Sequence, residues 1–339
     1  MGFSYSTLFN IGYIDKGIAL YNSIRAYNEN SVLYILCLDS VTELVLQKHK
    51  LHNAVLISVE NIEKFFPYLK QLKTERSFAE YCWTLTPHII EYVFTVYNEK
   101  YNTYLDSDLY FFSDPDILNN EMLNNGDCTL ITEHRFMADE KRPMNERLHG
   151  KYCVQYNTFT NSNESGALLE RWKANVIADC EYNKRKNKAG DQKYLEEFPV
   201  LSTSVYIPQN IGAGVAPWNI KQYKLLKAND GNIRITDGKQ KAFVVFYHYQ
   251  NIKYISKNIV NVGAGRCDLR LKKVLYYKYL REIEAIRKDL GKERIGMRSR
   301  SVSKNRLIAF AQKYMMRFKL REFSISDIIF VRRLKDIAM

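Results

Sequence analysis

The sequence contains no run of about 18 consecutive apolar residues, which argues against a membrane-spanning helix. Its first residues, Met1-Gly2-Phe3-Ser4-Tyr5-Ser6-Thr7-Leu8, lack the basic stretch and apolar core of an export signal. Cysteine is sparse. The six residues, at 37, 82, 128, 153, 180 and 267, show no CxxC spacing and read as buried thiols rather than disulfides or a zinc site. These absences predict a cytoplasmic protein. No internal repeat is found. What is present is ample material for a core: 339 residues, 46% hydrophobic, with 25 Tyr, 17 Phe and 3 Trp, a composition incompatible with disorder of the whole chain.

Charge is unevenly placed. Over residues 1–265 there are 29 Lys and Arg against 29 Asp and Glu, whereas residues 266–339 hold 21 against 8 and so carry the entire net charge of +13. A neutral body followed by a basic segment predicts a domain over 1–265 and a binding appendage for a polyanionic surface over 266–339.

Apolar patterning in the body alternates between strand and helix. Ser6–Ile11 reads as a strand with a turn from Gly12, and Asp15 as the cap of a helix carrying Ile18, Leu20, Tyr21 and Ile24. Val32–Leu38 is nearly continuously apolar, as in a strand buried on both faces, and a helix over 41–48 and a strand over 54–59 follow. This β-α-β-α-β order predicts an α/β fold with a mostly parallel sheet flanked by helices. A helix is predicted over 77–98 with Pro87 inside it, a strand over 101–105, strands and a connecting loop over 126–161, and a helix over 164–182. The basic run at 184–188 reads as a solvated loop. From about Cys267 the pattern is helical and basic to the end.

The strand Tyr101–Leu105 ends abruptly in Asp106-Ser107-Asp108. Ligands in open α/β sheets bind beyond the carboxyl ends of strands. Two carboxylates one residue apart form a compact hard-oxygen site suited to Mg²⁺ or Mn²⁺, ions that also bridge diphosphate oxygens. Such triplets also occur in loops as caps or solvated charge. Here apolar residues flank the triplet on both sides, so its charge is costly without a partner.

Tyr104-Leu105-Asp106-Ser107-Asp108-Leu109 resembles the metal-binding signature of GT-A-fold glycosyltransferases. More specifically, the chain is similar to the retaining bacterial lipopolysaccharide galactosyl- and glucosyltransferases and to glycogenin-like enzymes, over roughly residues 5–255. The resemblance implies a nucleotide-sugar donor, with a UDP-sugar expected, and a glycan or lipid-linked glycan acceptor. Phe9, Asn10 and Tyr13 then fall where base and ribose bind, Arg76 where a basic residue meets the diphosphate, and Asn157 near the sugar. Gly190-Asp191-Gln192 resembles the family's Asp-Gln motif, which faces the donor sugar and carries the catalytic expectation, with retention of configuration. An Asp before Gln-Lys-Tyr-Leu is equally an ordinary helix cap.

His248 alone reads as a core histidine among aromatics. The resemblance implies instead that it joins Asp106 and Asp108 as a ligand of Mn²⁺ or Mg²⁺. The family's glycine and lysine after this histidine are replaced, with Asn251 in the glycine's place and Lys253 one residue early. Asn210 and Gly212, in a glycine-bearing turn, and Trp218 are candidates for the acceptor side, with turn geometry and a buried Trp as the competing explanations.

In the appendage, Leu307, Phe310, Ala311, Tyr314, Met315 and Phe318 would share one helix face, with Arg306, Lys313 and Arg317 beside it. That pattern fits an anionic membrane surface, here the inner face of the plasma membrane, or else a helix packed on the body. No nucleic-acid recognition motif accompanies the charge, so no nucleic-acid partner is expected. Two other functions fit less of the pattern: a sugar-phosphate nucleotidyltransferase, which would want a glycine-rich basic loop after the first strand, and a non-catalytic membrane- or polyanion-binding protein.

Overall fold

The computed structural model of the chain describes residues 2–229, 232–256, 259–265, 267–291 and 327–330. The first three strands, β1 (Ser4–Phe9), β2 (Val32–Cys37) and β3 (Ala54–Ser58), alternate with helices α1 (Ile14–Arg25) and α2 (Ser40–His49). Then come α3 (Val59–Phe65), α4 (Leu69–Glu75), the long α5 (Phe78–Tyr97), β4 (Tyr101–Leu105) and the short β5 (Leu109–Phe111). The middle of the chain supplies α6 (Asp116–Asn124), β6 (Thr129–Glu133), α7 (Arg142–His149), β7 (Tyr152–Thr160) and α8 (Asn163–Ala178). A small hairpin, β8 (Tyr182–Asn183) and β9 (Lys188–Ala189), is followed by α9 (Phe198–Leu201) and β10 (Val205–Tyr206). A meander of β11 (Lys224–Asn229), β12 (Asn232–Thr236) and β13 (Lys241–Phe243) precedes β14 (Phe246–His248), β15 (Lys253–Ser256), β16 (Ile259–Asn261), α10 (Leu269–Leu290) and β17 (Ile328–Phe330).

Seven strands form the central sheet in the order β10-β6-β7-β4-β1-β2-β3. All neighbours are parallel except β7, which runs against both β4 and β6. The expected α/β class with a mostly parallel sheet is therefore what the chain adopts. The alternation in β2 explains why a continuous apolar run is needed: Leu33, Ile35 and Cys37 enter one buried cluster with α1 and α10, and Tyr34 and Leu36 enter the other with α5 and α8. Helix α5 starts at a capping box in which Ser77 and Glu80 satisfy each other's backbone N–H groups. It tolerates Pro87 in its interior. All six cysteines are free thiols.

Three sequence expectations are corrected. Asp15 does not cap α1: the chain enters that helix from a 3-10 turn at Ile11–Tyr13, whose own cap is the Asn10 side chain. Asp15 lies 1% exposed in the first turn of α1 and is paired with Arg287 of α10 at 2.6 Å. The connection between β6 and β7 contains helix α7 rather than loop alone. The C-terminal part is not uniformly helical, because Ile328–Phe330 pairs antiparallel with β16. Two β-branched residues and a phenylalanine suit a strand.

Helix α10 shares the main core. Leu271, Leu275, Tyr276, Tyr279, Leu280 and Ile283 are buried with residues of β1 and α1, and Asn22 of α1 donates to Glu282 at 2.6 Å. The amphipathic segment predicted over 302–320 lies outside the described residues. No helix among the described residues is long and apolar enough to cross a membrane.

Candidate active site

Strands β1 and β4 are parallel neighbours at the point where the strand order reverses, from β3-β2-β1 on one side to β4 and β7 on the other. A crevice opens beyond their carboxyl ends at such a point. Phe9 ends β1, and Asp106 follows the last residue of β4. The cleft there has a volume of about 810 Å³.

The acidic turn is held by backbone. Asp106 N–H donates to the Gln155 carbonyl at 3.0 Å, and Leu109 N–H closes the turn on the Asp106 carbonyl at 3.1 Å. The chain then runs straight into β5, which pairs antiparallel with β14 and sets Leu109 opposite His248. Tyr249 N–H donates to the Asp108 carbonyl at 2.8 Å. The pairing of these two short strands thus brings His248 to the acidic pair, although it lies 140 residues beyond Asp108 in sequence. Its Nε2 lies 3.0 Å from Asp108 Oδ1 and 3.7 Å from Asp106 Oδ2. One ligand atom from each of Asp106, Asp108 and His248 lies within 4.8 Å of the others. Two hard carboxylate oxygens and an imidazole nitrogen fit Mg²⁺ or Mn²⁺.

The neighbours of the triad fix its chemistry. His248 Nδ1 donates to Gln155 Oε1 at 2.9 Å, which orients the ring and leaves Nε2 facing the carboxylates. Lys16 Nζ lies 3.3 Å from Asp108 Oδ2. Burial pushes the Asp108 carboxyl up, but Lys16 and His248 outweigh it and hold it well below the usual carboxylate range. The Asp106 carboxyl goes the other way, pushed up by desolvation with His248 only partly offsetting it. Burial draws His248 down, yet the adjoining Asp108 charge raises it above an ordinary histidine. The three groups are held close by the His248 ring between the two carboxylates and by the Lys16 ammonium on Asp108. To ligate a cation the imidazole must be neutral, so any proton on Nε2 would have to leave.

Across the cleft, Asp191 is only 4% exposed. It stands before a 3-10 helix over Gln192–Glu197 but makes no side-chain cap bond, so capping does not account for its carboxyl. Trp172 Nε1 holds the Asp191 carbonyl at 3.0 Å, while its Oδ2 has no hydrogen-bond partner. Desolvation, reinforced by the Asp106 charge, pushes this carboxyl well above the carboxylate range. Beside it Gly190 adopts φ +61° under the Trp83 ring, where a Cβ would approach Cε3 to 2.6 Å. Phe78, Trp83 and Tyr182 line this wall of the cleft, with Phe78 56% exposed.

The structure brings Phe9, Asn10, Tyr13, Asp106, Ser107, Asp108, Asp191, Gln192, Trp218 and His248 to one cleft. Trp218 donates to the His134 carbonyl at 2.7 Å and meets His248 edge-on. Four candidates are not among the lining residues. Arg76 caps the end of α4, with its guanidinium on Thr84 and on the Ile177 carbonyl at 2.6 Å. Asn157 is buried within β7, donating to the Val154 carbonyl at 3.1 Å. The Asn210 side chain accepts from Gly212 N–H at 2.9 Å, and a Cβ on Gly212 would fall 1.8 Å from the Phe243 carbonyl oxygen. That turn exists for close backbone approach. Lys16, Gln155 and the Phe78–Trp83–Tyr182 wall went unread in the sequence. No local signal marks Lys16, since a lysine in the first turns of an amphipathic helix ordinarily faces solvent.

No protein-family model matches this chain. Two proteins of Bacillus subtilis (strain 168) are similar to it in sequence. The uncharacterized protein YfnF is 29% identical over 310 residues, covering 89% of this chain and 99% of that one. The uncharacterized protein YfnD is 28% identical over 267 residues, covering 77% and 81%. Among solved structures, mouse xyloside xylosyltransferase 1 in its apo form is similar with TM-score 0.46 and 13% identity, covering 74% of this chain and 98% of that one. The galactosyltransferase LgtC, in complex with donor and acceptor sugar analogues, gives TM-score 0.44 and 10% identity, covering 63% and 76%.

Proposed function

We propose that this chain is a GT-A-type glycosyltransferase that moves a hexose from a nucleotide sugar, with UDP as the expected nucleotide, to a surface glycan or lipid-linked glycan. The observation that carries the proposal is the Asp106–Asp108–His248 cluster beyond the β1/β4 carboxyl ends, in one cleft with a buried Asp191 whose Oδ2 has no hydrogen-bond partner.

Asp106, Asp108 and His248 hold Mn²⁺ or Mg²⁺. When bound, the cation neutralises the charge that builds on the departing diphosphate. Phe9, Asn10 and Tyr13 take the nucleoside at the end of β1. Gln155 keeps the His248 ring turned toward the carboxylates. Asp191 and Gln192 face the sugar, where a desolvated carboxyl attracts the positive charge that develops at the anomeric carbon as its bond to the diphosphate oxygen breaks. The acceptor hydroxyl oxygen forms the new bond, and its proton passes to the departing diphosphate oxygen.

Among the carboxyls of the described residues lining the cleft, Asp191 alone is outside the cation cluster, and it is assigned to the donor sugar, so no further carboxylate is left to serve as the base of an inverting attack. The product is expected to retain the donor's anomeric configuration, which proton NMR of the anomeric signal reads directly. The basic segment over 266–339 is proposed to hold the enzyme at the cytoplasmic face of an anionic membrane. Loss of sedimentation with anionic vesicles on deleting residues 300–339 tests this, and unchanged sedimentation removes it.

The reaction itself is tested by Mn²⁺-dependent turnover of a panel of UDP-sugars. Asp106→Asn and Asp108→Asn should abolish it, and unchanged donor binding and turnover in both variants would end the glycosyltransferase proposal.

A further inference from the structure

A cleft that receives a nucleoside diphosphate needs positive charge, yet among the described residues lining it there is neither a lysine nor an arginine. Its carboxyls are Asp106, Asp108 and Asp191. Arg76 is engaged by Thr84 and the Ile177 carbonyl. Lys253, on β15, is exposed and is not among the lining residues. The ammonium that does reach the site comes from α1. Lys16 Nζ stands 3.3 Å from Asp108 Oδ2 and 4.0 Å from the centroid of the Tyr13 ring, so it bridges a cation-site carboxylate and an aromatic on the cleft wall. It is 15% exposed at the side chain, enough to turn toward the cleft on its flexible stem.

Both oxygens of Asp108 are therefore engaged, Oδ1 by His248 and Oδ2 by Lys16. His248 can itself become a ligand of an entering ion. A charged ammonium cannot, so it must either give up Oδ2 or share it unfavourably with the ion.

We propose that Lys16 is the diphosphate-binding cation of this site and that it couples metal binding to nucleotide binding. Without nucleotide, Lys16 competes with the metal ion for Asp108. With nucleotide present, the diphosphate offers the ammonium a new partner and Asp108 is released to the ion. Metal and nucleotide each favour the other, and by linkage the two enhancements are equal. This inference rests on the cation site proposed above and adds a residue that gives the site its order of loading.

The test is the binding of Mn²⁺ followed by the paramagnetic resonance signal of the free ion, with and without UDP, in the wild type, Lys16→Met and Lys16→Arg. In the wild type UDP should tighten Mn²⁺ binding strongly. Lys16→Met should bind Mn²⁺ alone several-fold more tightly, which also shows that the variant is folded, and should bind UDP with Mn²⁺ about tenfold to a hundredfold more weakly, the size of one charge-assisted hydrogen bond. Lys16→Arg should recover much of the UDP affinity. If Lys16→Met leaves the UDP enhancement at its wild-type size, Lys16 has no such role while the cation site stands. If the wild type binds no Mn²⁺ even with UDP, the cation site itself is lost and this inference with it.

Discussion

The two walls of the cleft handle buried charge in opposite ways. On the β4–β5–β14 wall every ionisable group has a partner: Asp108 pairs with both His248 and Lys16, and His248 also with Gln155. On the facing wall Asp191 is also buried, but its Oδ2 has no hydrogen-bond partner. A satisfied cluster holds its geometry without ligand. An unsatisfied carboxyl raises the energy of the empty protein and is relieved when a ligand hydroxyl or a developing positive charge arrives. Under the proposed function, the contrast separates the wall that would bind an ion from the wall that would act on a sugar.

The largest expected effect breaks the paired wall. Asp108→Asn removes a cation ligand and the partner of both His248 and Lys16, and should cut turnover by at least about 10³-fold while abolishing Mn²⁺ binding. Asp191→Asn tests the facing wall and should move activity and stability in opposite directions. Turnover should fall about 10²- to 10³-fold, with Mn²⁺ and UDP binding retained. Because the folded-state pKa of Asp191 is raised above its ordinary 3.8, the stability linked to its proton is fully present below that value and is lost as pH rises. Thermal unfolding should therefore show Asp191→Asn gaining on the wild type as pH rises from about 4 to neutrality. A constant difference across that range would mean that the Asp191 carboxyl carries no such cost.

A smaller effect comes from the backbone that carries Asp191. Gly190→Ala combines a left-handed φ with a collision against Trp83, and denaturant titration should read a loss of about 1–3 kcal/mol. The smallest effect lies away from both walls. His88 donates from Nδ1 to the Thr84 carbonyl at 2.7 Å and accepts from the Tyr68 hydroxyl at 3.1 Å, and burial draws its pKa down to about 3. Its contribution to stability is present above its ordinary 6.5 and is lost as pH falls toward about 3. His88→Gln should flatten that part of the profile, and an unchanged acid slope would show that other groups set it.

What the sequence disclosed follows the same division. The acidic pair was legible because a buried strand ended on it, and local pattern captures a strand and its end. His248 was not legible from its own neighbours, since β14 pairs with β5 across 134 intervening residues of chain (112–245) and only the resemblance implied its role. Lys16 was missed because periodicity places it on α1 without saying that α1 leans over Asp108. Asp15 was read as a cap because a helix start often wants one, whereas its partner, Arg287, lies 272 residues away. In α10 the count of basic residues drew attention to its charge and away from the stripe of Leu271, Leu275, Tyr279 and Ile283 that buries it in the core. Arg76 shows the converse: position relative to a motif says nothing about Thr84 and the Ile177 carbonyl, which hold it.

The central claim is that Asp106, Asp108 and His248 form a cation site that receives a nucleoside diphosphate. Calorimetric titration of UDP into the wild type and Asp108→Asn, each with and without saturating Mn²⁺, tests it most directly. Binding heat should appear only in the wild type and only with Mn²⁺. Equal UDP affinity without the metal, or in the variant, would contradict it.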